Sequence, residues 1–206
     1  SQPGALAVDK KILQEYEEAA DIDPYSPLAE SAQFRINEML YNSQDYPRTE
    51  QAWTDFLRRY PDSYLKNEAT LALAETQIML HSWEPAKATL AKLTTGNSAY
   101  GTMDYVLYLQ GLASYAQRRF DDAVHDFEGI RHHSAASLFY TGRGLIELAK
   151  PLLATQKFQE IIQNFPEQPF TQEAYFLLAD SFFEAKDYLS ANTSYYLRVR
   201  ALGHGG

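Results

Sequence analysis

Thr171-Gln-Glu-Ala-Tyr-Phe-Leu-Leu-Ala-Asp-Ser-Phe-Phe-Glu-Ala-Lys-Asp-Tyr-Leu-Ser-Ala-Asn-Thr-Ser-Tyr195 is the stretch that decides the fold. Tyr175, Leu178, Ala179 and Phe182 follow one another at gaps of three and four, the period of one helix face. Twelve places after the small Ala179 comes Ala191, and four places later Tyr195. The same small-then-large pair recurs upstream as Thr49/Trp53, Ala86/Leu90, Ala123/Phe127 and Ala154/Phe158, with first members 37, 37, 31 and 37 residues apart through to Ala191. Each pair has its own residue twelve places before it: Asn37, Ala74, Gly111 and Gly142. Small residues at these places let two helix axes approach closely where they cross. A fixed period of this size is the mark of stacked helical repeats.

Composition agrees. Alanine and leucine far outnumber valine and isoleucine, and no sustained alternation of apolar and polar residues occurs, so the fold class is all-α. Pro47, Pro85 and Pro151 fall in the first turn of a periodic run, where a missing N–H costs nothing. Across 206 residues, 45% hydrophobic and 22% charged content supports a sizeable core, so a folded soluble protein is the expected class. Lys and Arg total 18 against 27 Asp and Glu, a net charge of −9 with no basic cluster longer than a pair, which argues against nucleic acid as a partner. The absence of cysteine excludes thiol chemistry but leaves the compartment open. No apolar run is long enough to span a bilayer, and Ser1-Gln2-Pro3-Gly4 lacks the features of a signal peptide. Any export signal or anchor is therefore expected to have been cut away or never to have existed.

With those positions in place the sequence resembles the tetratricopeptide repeat (TPR) family, whose pattern closes A-x3-F with a proline; Pro61 and Pro166 each follow Trp53 and Phe158 by eight residues. The joints Tyr60-Pro61-Asp62-Ser63 and Phe165-Pro166, followed by Glu68-Ala69 and Glu173-Ala174, are similar to those of bacterial envelope members. These include the lipoprotein of the outer-membrane β-barrel assembly machine and the coordinator of the Tol–Pal system. The resemblance implies a tetratricopeptide-type α-solenoid of about five helix pairs plus an N-terminal helix, about Ala7 to Ala20. The expected layout is an N-terminal segment 1–28, a solenoid 29–202 in units 29–61, 62–94, 102–131, 134–166 and 170–202, and a tail 203–206. Two departures stand out. The third-to-fourth step is 31 residues, with Arg131-His132-His133-Ser134 in place of a proline joint, which predicts a tight turn; and Thr94 to Gly101 reads as the longest loop.

Catalytic constellations are not found. His132-His133 reads as a turn pair of solvated imidazoles, because neighbouring residues point apart and no acid completes a metal set with both. His125 among Asp121, Asp122 and Asp126 reads as an exposed acidic face. Gly142-Arg143-Gly144 lacks the strand and the Lys-Ser/Thr of a phosphate loop and fits a helix crossing better. The acidic Glu15 to Asp23 segment lacks the order of a calcium loop. The expectation is a non-enzyme with no cofactor and no metal.

The resemblance places the first helix of each pair on a concave, partner-binding surface. Its groove-facing fifth and twelfth places fall on Phe34 and Tyr41, Leu71 and Ile78, Tyr108 and Tyr115, Phe139 and Ile146, and Phe176 and Phe183. Its ninth places are Glu38, Glu75, Leu112, Arg143 and Asp180, with Leu112 counted among the contacts. An aromatic stripe edged with carboxylates suits an apolar or basic peptide or helix, although a stripe at helical spacing is also how a core is built. The functional expectation is a protein–protein interaction scaffold of the bacterial envelope, periplasmic or anchored at the outer membrane, with a lipid anchor upstream and self-association as open options. Alternatives are an interaction or localisation domain of a larger envelope enzyme acting on polysaccharide or peptidoglycan, and glycan binding by the stripe.

Overall fold

The computed structural model describes residues 26–94 and 100–203 together with Gln14 and Glu18; the expected N-terminal helix otherwise lies outside the described residues, as do Thr95 to Ala99 of the expected loop and the last three residues of the tail. Among the described residues there are ten helices and no strand: α1 (Pro27–Asn42), α2 (Tyr46–Arg59), α3 (Lys66–Met79), α4 (Trp83–Thr94), α5 (Tyr100–Ala116), α6 (Phe120–Glu128), α7 (Ala135–Glu147), α8 (Pro151–Asn164), α9 (Pro169–Glu184) and α10 (Tyr188–Gly203). They fall into two compact units, Ser1–Asn97 with α1–α4 and Ser98–Gly206 with α5–α10. α5 begins at Tyr100, inside the stretch read as loop.

The predicted crossings carry the packing. Thr49, Ala86, Ala123, Ala154 and Ala191 are all buried, and so are the residues twelve places upstream, Asn37, Ala74, Gly111, Gly142 and Ala179. A Cβ on Gly111 would meet the Phe127 ring at 2.5 Å, and one on Gly142 would meet the Phe158 ring at 2.6 Å. Gly142-Arg143-Gly144 is thus mid-helix in α7, with Gly144 facing Val124 on α6. In the first pair the crossing residue is Asn37, which donates to the Ala52 carbonyl at 3.0 Å while Gln33 donates to its Oδ1, so a buried amide is satisfied. Beside it Trp53 and Phe56 are buried edge to face at 6.1 Å.

Helix ends follow local chemistry. Ser26 caps α1 at the Ala29 N–H, Asp45 caps α2, and Ser134 with Ser137 forms a capping box on α7. The first helix of each pair ends on a residue of left-handed conformation, Gln44, His81, Arg118, Ala149 and Lys186, with φ between 56° and 63°. After His81, Arg118, Ala149 and Lys186 the next N–H reaches five residues back, as from Ser82 to Gln77 at 2.8 Å, which closes a Schellman turn.

The 31-residue step arises because α6 has nine residues where α2 and α8 have 14. Its joint is held by Asp104 on α5, whose carboxylate accepts the Arg131 and His132 N–H groups at 3.0 and 3.1 Å and meets His132 Nδ1 at 3.0 Å. Of the pair read as solvated imidazoles in a turn, His132 is exposed, as expected, but is also tied to Asp104, whereas His133 is half-buried, with an Nδ1 that has no hydrogen-bond partner among the described residues.

Candidate functional site

In the first unit α1 and α3 leave a cleft of about 290 Å³ between them. Phe34, Glu38 and Tyr41 come from α1, Ala72 and Glu75 from α3, and Trp53 of α2 forms part of the wall. The spacing explains this: places 34, 38 and 41 share one face of α1, as 72 and 75 do on α3. Phe34 also belongs to the packing, with its ring 4.8 Å from Trp53 and 5.9 Å from Phe56. The Tyr41 ring leans edge-on against Tyr46 at 5.6 Å. Burial holds the Tyr41 proton more tightly than in water, and the charge of Glu75 adds to this. Leu71 and Ile78 are half-buried on α3 and take no part in this cleft.

The second unit distributes its aromatics differently. Tyr108, Leu112 and Tyr115 on α5 lie against Ala123, Phe127 and Ile130, so much of their surface is taken up by packing on α6. Phe139 is 3% exposed, 4.9 Å from Phe170, and sits within the core of α7, α8 and α9. Between Tyr115 and Phe139 the Arg143 guanidinium lies 5.9 and 5.8 Å from the two ring centroids, a cation held by two aromatic faces.

Ile146 and Phe183 line a cleft of about 490 Å³ between α7 and α9, together with Leu177, the buried Ser181 and the carboxylates of Asp180 and Glu184. Phe183 is 56% exposed there, its ring edge-on to Tyr188 at 5.4 Å, and Asp180 accepts the Tyr195 hydroxyl. Phe176 is 38% exposed, with the Arg198 guanidinium 5.0 Å from its centroid. Of the groove places read from sequence, the structure thus gathers Phe34 with Tyr41 and Ile146 with Phe183. Trp53, Leu177 and Glu184 were not among them; Glu184 is one helical turn beyond Asp180, which is the signal that would have found it.

Among the described residues no three His, Asp or Glu side chains gather around a common point as metal ligands would, and no helix is long and apolar enough to cross a membrane.

The sequence matches no protein-family model and no curated protein. Solved structures do match. The structure of MamA residues 41 to the end from Desulfovibrio magneticus RS-1 has a TM-score of 0.73 at 10% identity, covering 85% of this chain and 96% of that one. YrrB, described as a TPR protein with an unusual peptide-binding site, has a TM-score of 0.71 at 10% identity, covering 90% and 91%. A tetratricopeptide repeat protein of Parabacteroides merdae has a TM-score of 0.71 at 13% identity, covering 85% and 68%. The chain has the tetratricopeptide-type α-solenoid fold that these proteins share.

Proposed function

We propose that this chain is a non-enzymatic scaffold that docks an apolar segment or helix of a partner protein on the faces shared by successive first helices. The observation that carries the reading is the cleft between α7 and α9. It is concave, it is lined by Ile146, Leu177 and the exposed Phe183, and it carries carboxylates, which favours an apolar segment over an acidic one. Peptide binding in YrrB is a parallel on the same fold. We also propose that the protein works in the bacterial envelope, either in the periplasm or held at the outer membrane by a lipid anchor. That reading is supported by the resemblance of the Tyr60-Pro61 and Phe165-Pro166 joints to envelope members.

The test is a crosslinked pull-down with the native chain and with Ile146→Ala, Phe183→Ala, its helicity checked by circular dichroism. A partner held by the native chain and lost at least tenfold by the variant is the expected result. Equal capture by both would remove the cleft as the docking surface. For the compartment, a tagged protein in spheroplasts should be digested by added protease; full protection until the inner membrane is broken would sink the envelope reading.

A further inference from the structure

On the side of the second unit formed by its second helices, a groove of about 460 Å³ lies between α8 and α10. Ile162 of α8, Leu178 and Phe182 of α9, and Leu189 and Leu197 of α10 line it, and none of its lining residues carries a charge. Its hydroxyls are already used: Thr193 donates to the Leu189 carbonyl at 3.0 Å and Ser194 to the Ser190 carbonyl at 2.9 Å, so covering them strands no donor. The preceding repeat shows what fills such a groove. One period before Ser194 stands Lys157, and the 31-residue step before Gln159 leads to Glu128. There Lys157 Nζ reaches Glu128 Oε1 at 3.4 Å and bridges α6 and α8, with the lysine side chain only 22% exposed. Between α8 and α10 a short hydroxyl and a neutral amide replace that bridge, and the groove is open. Leu189 beside it is 80% exposed and Leu197 is 47% exposed.

An occupant of this groove must bring apolar side chains, and a charge of either sign gains nothing by entering. A second copy of this chain meets both conditions. A two-fold contact requires that one patch hold both the projecting groups and the hollow that receives them, and Leu189 and Leu197 project beside the hollow they line. It also requires a face that does not repel itself. Two copies with a net charge of −9 each repel one another, and an uncharged face lets them meet without setting like charges opposite each other. We propose that the chain pairs two-fold through the α8–α10 groove, with Leu189 of each copy seated in the groove of the other. The α7–α9 cleft shares no lining residue with this groove, so the pair presents two such clefts. A partner with two docking segments is then held more tightly than by one chain. The pairing itself does not rest on partner docking.

Sedimentation equilibrium of the full chain from about 1 to 200 μM tests this, because pairing follows mass action. The average mass should climb with concentration from one chain to two and stop there. Gln159→Glu, Ser194→Lys rebuilds the bridge of the preceding repeat inside the groove without changing the net charge. Leu189→Glu puts a charge on a side chain that is 80% exposed, so the fold should survive, as circular dichroism will show for both variants. Each variant should raise the dissociation constant at least tenfold, and Met79→Glu, at an exposed place on α3, should leave it unchanged. Raising salt from about 50 to 500 mM should hold or strengthen the pair, since screening removes the repulsion between two acidic copies. A mass that never rises assigns the groove to a different protein and overturns the proposal. So does a mass that climbs past two chains, a pair that survives either groove substitution, a pair that Met79→Glu disrupts equally, or one that salt weakens.

Discussion

Gly142 and Ala149 sit seven residues apart and answer to opposite constraints. At Gly142 the obstacle is the buried Phe158 ring, 2.6 Å from where a Cβ would be. Gly142→Ala gains about 1 kcal/mol of helix propensity but forces an aromatic side chain out of a packed site, at a cost of about 1–3 kcal/mol. The net expectation is a loss of up to about 2 kcal/mol, read as a lower urea midpoint with an unchanged slope. Ala149 is exposed, with φ of 56°, a conformation that an L-residue adopts under strain. Ala149→Gly should therefore raise stability by about 0.5–1 kcal/mol, and a lower midpoint would show that the turn is not strained. The crossing residue was legible in the sequence because glycine and alanine recur there at a fixed spacing. The turn residue was not, since none of Gln44, His81, Arg118, Ala149 and Lys186 is glycine. Only their spacing of 37, 37, 31 and 37 residues, the same as the crossing register, gives them away.

Two of the joints between helix pairs are held by a carboxylate from the first helix of the earlier pair. Asp104 on α5 holds the α6–α7 joint through two N–H groups and His132, and Glu30 on α1 accepts the Ser63 hydroxyl at 2.6 Å in the α2–α3 joint. The two carboxylates stand 74 residues apart, twice the 37-residue period, a relation that the intervening repeat, with no carboxylate at that place, conceals in the sequence. Donation from the Arg131 N–H, first, and from His132 holds the Asp104 carboxyl below its usual value of 3.8. A group depressed in the folded state contributes stability that is fully present above the unfolded pKa and is lost as pH falls through the folded one. Asp104→Asn keeps the shape but weakens the acceptors, and should cost about 1–2 kcal/mol at pH 7. The deficit should shrink as acid protonates the native carboxylate. A deficit that is the same at pH 7 and pH 3 would mean that charge has no part in the latch.

Over the whole molecule the surplus of carboxylates, a net charge of −9, gives any cationic partner a long-range attraction. Capture of such a partner should weaken several-fold between 50 and 500 mM salt, because screening shortens the reach of exposed charges. Capture that holds or strengthens over that range would assign the affinity to the apolar cleft around Phe183 alone. Fold class and repeat register were readable in advance because each depends on a few buried positions repeated five times. The assignment of groove against core was not, because a place in the repeat fixes which helix face a residue occupies but not how deeply the neighbouring side chains cover it. Phe139 and Phe183 illustrate this: both were read as groove residues, yet Phe139 is 3% and Phe183 56% exposed. The difference lies in the Phe170 ring packed on the one and its absence from the other.

The left-handed turns also bear on how such a chain changes over generations. Gln44 and His81 share the left-handed φ one period apart, so joining Gln44 directly to Ser82 would excise 37 residues and bring α1 onto α4. The bond from the turn residue to the carbonyl three places back, Gln44 to Tyr41 and His81 to Ile78, is common to both sites and would be kept at the scar. Recombination between such points alters the chain in whole blocks, adding or deleting clefts without first passing through a misfolded intermediate length.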